Sequence, residues 1–361
     1  MPAVEAIIDK SSEVAPVPVV AQAPRKRLVR RPGRDYSQAL RRMTQGVFVA
    51  VNAYLALEFY LFVRQFESGG VTTSISRPAG VEGWLPIAGM MNLKYFMLTG
   101  RIPGIHPAAM VLLFAFLLIS FVFRKAFCGW LCPVGTLSEA LWKLGRRMFK
   151  RSWALPRWLD IPLRGLKYLL LAFFIYAVAG LSAEAINAFL SSPYGLVADV
   201  KMLNFFRHMG RTAAITLSAL AVLSLVYQNF WCRFLCPYGA LMGLTSLFSP
   251  ARIRRSEPQC IDCGKCARAC PSLLSVDQLI NIRSAECTAC LECVAVCPAK
   301  GALEFSLPAK RRLPAWSVAA GIALLFLSIV GYAKWQGAWE SRIPDAVYRE
   351  YVPIASQFQH P

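Results

Sequence analysis

Histidine is nearly absent from this chain, with three in 361 residues, and none follows a C-x2-C pair. Covalently attached or bis-histidine haem therefore has little support. His106 and His208 lie near the ends of apolar segments and are candidates for hydrogen bonding to a quinol. Charge is also scarce, at 17% of residues against about 25% in a soluble globular protein. Acidic residues number 20 against 40 basic ones. The basic excess falls in patches beside apolar segments, a distribution that sets membrane topology and does not mark nucleic-acid binding. There is no G-x-G-x-x-G, no P-loop and no Ser/His/Asp arrangement, so hydride transfer from bound NAD, nucleotide hydrolysis and acyl transfer have no basis. Residues 1–24 lack an apolar h-region and read as a disordered tail, with no cleavable signal peptide.

What the chain has in quantity is apolar surface: 56% of residues are hydrophobic and the mean hydropathy is +0.44. Five segments approach bilayer length: Met43 to Val63, Pro107 to Phe123, Leu166 to Leu181, Thr212 to Phe230 and Pro314 to Tyr332. Trp84 to Leu98 is apolar but short, and reads as interfacial or re-entrant. Lysines and arginines in segments 25–42, 124–167 and 232–313 total 29, against 8 in 65–106, 183–210 and 334–361. With five spans, the positive-inside rule gives a cytoplasmic N-terminus and an external C-terminus. The expectation is a polytopic α-helical membrane protein of the bacterial inner membrane, with about five transmembrane helices and Trp84 to Leu98 as a short sixth. Residues 1–42 form a basic cytoplasmic N-terminus, and 43–250 a membrane domain with four helices. Residues 251–307 form a cytoplasmic α+β module, and 308–361 the last helix and a periplasmic tail. Glu58 lies inside the first span, where a carboxylate is either functional or paired with a cation such as Arg64.

All 12 cysteines fall in motifs. Cys260 to Pro298 contains two runs of C-x2-C-x2-C-x3-C-P, offset by 27 residues, the pattern of a bacterial ferredoxin with two [4Fe-4S] clusters. Each tight run presents three thiolates to one cluster, and its fourth cysteine serves the other. Cys260, Cys263, Cys266 and Cys297 then hold the first cluster, and Cys287, Cys290, Cys293 and Cys270 the second. Zinc sites show two separated Cys/His pairs and disulfide modules belong to secreted domains, so neither fits this spacing.

The other four cysteines form an internal repeat, F-C-G-W-L-C-P-V-G-T-L from Phe127 and W-C-R-F-L-C-P-Y-G-A-L from Trp231, offset by 104 residues. Both copies follow a span running in the same direction, so Cys128, Cys132, Cys232 and Cys236 emerge at one membrane face and can converge. Three readings stay open: one thiolate site for iron–sulfur or another soft metal, two redox dithiols, or small apolar residues packed at helix ends. Trp130, Trp231 and Phe234 read as interfacial anchors, and Ser192 to Phe206 as an amphipathic outer-surface stretch beside a candidate quinone pocket.

Several apolar spans, two C-x3-C-P motifs and a C-terminal two-cluster ferredoxin pattern resemble the NapH/NosR-type membrane polyferredoxins. The likeness extends over about residues 40 to 340 and includes E-G-W-L-P-I-A-G-M-M-N-L-K-Y, D-V-K-M-L-N-F-F-R-H-M-G and W-C-R-F-L-C-P-Y-G-A-L-M-G. The chain differs from NosR in having no large N-terminal flavin-binding domain and no S/T-G-A-T-type flavinylation sequence. The resemblance implies quinol-linked electron transfer at the inner membrane, serving a reductase or the maturation of its metal centre. Its partners would be the lipid bilayer, quinone or quinol, and a cytoplasmic or periplasmic redox protein. The rival function is a metal-handling or assembly factor whose C-x3-C-P thiols bind or reduce copper or another soft ion. An electron conduit need not bind a substrate beyond quinone, so enzymatic activity does not follow.

Overall fold

The computed structural model describes residues 28–359 except 32, 34, 69–74, 151–152, 154 and 309–310; the expected N-terminal tail lies outside the described residues. The chain is mostly helical. In order, the helices are α1 (Ser37–Glu67), α2 (Pro86–Thr99), α3 (Pro107–Val122), α4 (Pro133–Phe149), α5 (Arg157–Ala179), α6 (Ala183–Leu190), α7 (Pro193–Leu196), α8 (Ala198–Arg207), α9 (Arg211–Val226) and α10 (Pro237–Leu247). The remaining helices are α11 (Lys265–Ala269), α12 (Glu292–Ala295), α13 (Ala315–Trp335) and α14 (Asp345–Tyr351). Strands β1 (Arg252–Arg255), β2 (Asn281–Ile282) and β3 (Leu303–Ser306) form an antiparallel sheet ordered β2-β1-β3. Ile253 faces both Ile282 and Phe305 across it.

Among the described residues, three helices are long and apolar enough to cross a membrane: α1, the Trp158–Ala179 part of α5, and α13. A fourth candidate is α8 with α9, bent by 79° at their junction. The expected spans beginning at Pro107 and Thr212 emerge as α3 and α9, each 16 residues. At 1.5 Å per residue each is about 24 Å long, short of the roughly 30 Å hydrocarbon core. Length and composition therefore give three to four candidate spans, fewer than five. Both short helices break before a π-helical turn, Phe127–Leu131 after α3 and Trp231–Leu235 after α9. Those turns carry the C-x3-C-P repeats.

Trp84 ends a 3-10 turn that begins at Ala79, and from Pro86 the Trp84 to Leu98 stretch folds as α2, which lies against α3. Gly89 makes that approach close, since a Cβ there would sit 2.8 Å from the Ala109 carbonyl oxygen. The iron–sulfur-type module is not a free appendage. One apolar core runs from Leu112, Phe116 and Ile119 of α3, through Trp130 and Leu131, to Ile253, Ile282 and Phe305 of the sheet, with Val318 and Ile322 of α13. Phe116 stacks on Phe127 with ring centroids 4.0 Å apart.

The opposite end of the bundle holds a buried charge network. Arg77 donates to Asp199 at 2.8 Å and to Glu82 at 2.7 Å. The first helical turn of α3 adds a hydrogen bond from the Ala109 N–H to Glu82 at 3.1 Å. His106 Nε2 donates to the Gly195 carbonyl at 2.9 Å, and its Nδ1 lies 3.3 Å from Glu82. Asp199 is buried in this network, and the Ser192 to Phe206 stretch is two-sided, with Val197 and Val200 buried and Phe205 and Phe206 exposed. Glu58 is half-buried, and among the described residues no ion pair reaches it, from Arg64 or elsewhere.

Burial pushes the His106 pKa down, but the hydrogen bond and charge of Glu82 and the charge of Asp199 outweigh it and leave the pKa above its ordinary value. A raised folded-state pKa gives stability that is fully present below the unfolded value, about 6.5, and is lost as pH rises through the folded value. Purified protein should therefore unfold at lower temperature as pH rises from about 6.5 to 9, and His106→Gln should flatten that slope. Equal slopes in the two proteins would rule out His106 as the source.

Candidate functional site

Eight cysteines of the module sit in two loops of the same backbone form. Asp262 and Gly264 flank Cys263 with positive φ, and Ala289 and Leu291 flank Cys290 in the same way. Left-handed residues on both sides of the middle cysteine reverse the chain twice, which turns successive cysteines of a C-x2-C-x2-C run toward one point. A cavity of about 20 Å³ is lined by Cys260, Cys263, Cys266 and Cys297. A second, of about 10 Å³, is lined by Cys270, Cys287, Cys290 and Cys293. The fourth cysteine of each run thus lies with the three of the other run. None is in a disulfide, and Cys266, Cys270, Cys287, Cys290 and Cys293 are buried.

The duplicated C-x3-C-P motifs fold alike. Cys132 N–H bonds to the Phe127 carbonyl at 2.9 Å, and Cys236 N–H to that of Trp231 at 3.0 Å, closing each π turn. Pro133 and Pro237 begin α4 and α10, where a missing N–H costs nothing. The cysteine before each proline caps its helix, the sulfur of Cys132 accepting from Gly135 N–H at 3.4 Å and that of Cys236 from Gly239 N–H at 3.2 Å. Cys128, Cys132, Cys232 and Cys236 line one cavity of about 80 Å³. Its wall also contains Cys290, with Pro271, Ser272 and Thr288, which line the neighbouring Cys270/Cys287/Cys290/Cys293 cavity as well. The two thiol cavities therefore share a wall.

Gly129 sets that contact. A Cβ on it would lie 2.6 Å from the Thr288 carbonyl oxygen, so the first π turn can press against the Cys287–Cys290 loop only with glycine there. The repeat has Arg233 at the corresponding position, which pairs with Asp160 of α5 at 3.0 Å through both Nε and Nη2. The two copies are alike in their thiols and differ in what they dock against.

Trp130 corrects the expectation of an interfacial anchor. It is fully buried and donates its indole N–H to the Ala289 carbonyl at 3.0 Å, pinning the turn to the module. Phe234 is buried as well, while Trp231 is half-buried. Residues that motif reading passed over complete the site. Arg41 of α1, 1% exposed, donates to the carbonyls of Gly129 at 3.1 Å and Cys290 at 3.4 Å and pairs with Glu139. Glu286, next to Cys287, accepts from Lys167 at 2.5 Å and from Tyr168 at 3.3 Å, and lies 4.0 Å from Lys125. By sequence alone these cations count as topology charges. Their burial shows a local role.

Burial is the leading cause of every thiol shift here. It pushes Cys128 and Cys290 up to about 12 and Cys132 and Cys266 up to about 11. Thiolates are poorly solvated in such places and are stable only beside positive charge, as a metal centre supplies. Two quartets of cysteines, with no competing histidine or carboxylate on those cavity walls except Asp277, suit iron–sulfur ligation. Among the described residues no three His, Cys, Asp or Glu side chains converge on a single-ion position.

Comparison with known proteins agrees with this chemistry. A family model described as "4Fe-4S dicluster domain" matches residues 251–305, and one described as "4Fe-4S binding domain" matches 105–152 and 211–256, the two C-x3-C-P repeats. The "Putative electron transport protein YccM" of Escherichia coli (strain K12) is 49% identical over 357 residues, covering 94% of this chain and all of that protein. "Ferredoxin-type protein NapH" of Haemophilus influenzae is 26% identical, covering 54% of this chain and 68% of its own length. "Regulatory protein NosR" of Pseudomonas aeruginosa is 31% identical over 47% of this chain and 23% of its own length. No solved structure matches. The chain therefore belongs to the YccM family of 4Fe-4S, ferredoxin-type electron-transport proteins, to which NapH and NosR are related.

Proposed function

We propose that this chain is an inner-membrane electron carrier that relays electrons between the quinone pool or a cytoplasmic donor and a redox partner. Two [4Fe-4S] clusters, when bound, supply one-electron sites. Cys260, Cys263, Cys266 and Cys297 would hold one, and Cys270, Cys287, Cys290 and Cys293 the other. Cys128, Cys132, Cys232 and Cys236 form a third redox station. The wall shared between the second quartet and the four-thiol cavity carries this reading, because electron transfer needs neighbouring sites and the fold brings these thiols together from residues 128 to 293. The 4Fe-4S description of the family model over the repeats supports an iron–sulfur centre there.

The basic segments border the module end of the bundle, and the positive-inside rule supports a cytoplasmic module on that ground. Five crossings, by α1, α3, α5, α9 and α13, are the reading that the charge distribution favours. The protein supplies burial, sulfur hydrogen bonds and fixed cations, which tune potentials and exclude water.

Anaerobically purified protein carrying Cys128→Ser and Cys232→Ser should keep about eight irons per chain, lose the iron above that number, and be re-oxidised slowly by a quinone analogue. Unchanged iron and normal re-oxidation would remove the third station from the relay.

A further inference from the structure

Four charged residues line the four-thiol cavity: Lys125, Glu139, Arg233 and Glu286. Three have close partners of opposite charge. Glu139 pairs with Arg41 and Lys143, Arg233 with Asp160, and Glu286 with Lys167. Lys125 differs. It is 4% exposed, and among the described residues its ammonium has no hydrogen bond and no carboxylate nearer than Glu286 at 4.0 Å, which Lys167 already holds at 2.5 Å.

A buried ammonium whose carboxylate is 4.0 Å away and shared with a closer lysine is only partly compensated, and such a charge is kept where further negative charge offsets it. The side chain lies in the break between α3 and the first π turn, three residues before Cys128, so the turn that presents the thiol also presents the cation. Neutral thiols or disulfides would leave Lys125 with only its share of Glu286. A centre ligated by four thiolates carries net negative charge, which becomes more negative on one-electron reduction.

We infer that Lys125 is the counter-cation of the four-thiol centre and holds its reduction potential up by stabilising the reduced state. This rests on the reading that the cavity holds a thiolate-ligated redox centre. Lys125 does not ligate; it is a positioning residue acting through charge on the centre that Cys128, Cys132, Cys232 and Cys236 bind. The corresponding residue of the second repeat is Asn229, also on the cavity wall, so the cation is supplied once and by the first repeat alone.

The test uses full-length protein purified anaerobically in detergent, with iron and sulfide assays first and EPR-monitored redox titration second. Lys125→Met removes the charge at similar length; Lys125→Arg keeps it. In Lys125→Met the four-thiol centre should become at least tenfold harder to reduce, a shift of about 59 mV to lower potential for one electron. Lys125→Arg should stay near the wild-type value, and the module clusters should move less. Loss of the centre from Lys125→Met with retention in Lys125→Arg also supports the role. An unmoved potential in Lys125→Met, or loss of the centre from both variants, overturns it. Wild-type protein with no iron beyond the module fails at the first assay and defeats the underlying reading instead.

Discussion

Cys270→Ser should damage the same cluster as Cys290→Ser, although Cys270 lies in the other motif run. Each variant is expected to lose about four of the module's eight irons and one of its two reduced EPR signals. Cys297→Ser and Cys263→Ser should both remove the other signal. The expectation comes from the cavities, where Cys270 stands with Cys287, Cys290 and Cys293, and Cys297 with Cys260, Cys263 and Cys266. Cys290 lines the four-thiol cavity as well, so reduction of that centre from the module should fall in Cys290→Ser to the background of iron-free protein. If Cys270→Ser instead removes the signal lost in Cys263→Ser, ligation follows the motif runs and the crossed assignment is wrong.

Gly129→Ala should separate the module from the four-thiol centre without touching a ligand. The added Cβ would press on the Thr288 carbonyl at 2.6 Å, and Thr288 lies between Cys287 and Cys290. Both partners are backbone in a buried, close-packed contact, so the strain is relieved only by moving the turn or the loop. Overpacking of this kind costs about 1–3 kcal/mol. The expected result is a lower unfolding temperature, near-normal iron, and slowed electron transfer between the second cluster and the four-thiol site. Gly46→Ala on α1, where a Cβ meets nothing within 4 Å, is the matching control and should neither lower the unfolding temperature nor slow transfer. Normal transfer in Gly129→Ala would show that the Gly129–Thr288 contact does not lie on the path.

The cysteine motifs made the centres legible in the sequence because ligand spacing is dictated by the size of the group they bind. The chain from Cys260 to Pro298 could be read without tertiary information, and the 104-residue repeat located the second thiol site. The relation between those sites could not be read, because it depends on which turn docks on which loop. Gly129 looks like any glycine between Cys128 and Trp130 until Thr288 is seen against it. Trp130 has the composition of an interfacial anchor, and only packing shows it sealed beneath Ala289. Arg41 and Lys125 pass for topology charges because charge counting is blind to burial. Hydropathy finds five apolar segments, but it does not register that α3 and α9 stop after 16 residues where the backbone turns into the cysteine motifs.

The most direct measurement is iron, acid-labile sulfide and zinc analysis of the anaerobically purified full chain, with EPR of the dithionite-reduced protein. Two [4Fe-4S] clusters predict at least about eight irons and eight sulfides per chain, negligible zinc, and paired reduced-cluster signals broadened by mutual coupling. Stoichiometric zinc with iron below about four per chain and no reduced-cluster signal would contradict the account.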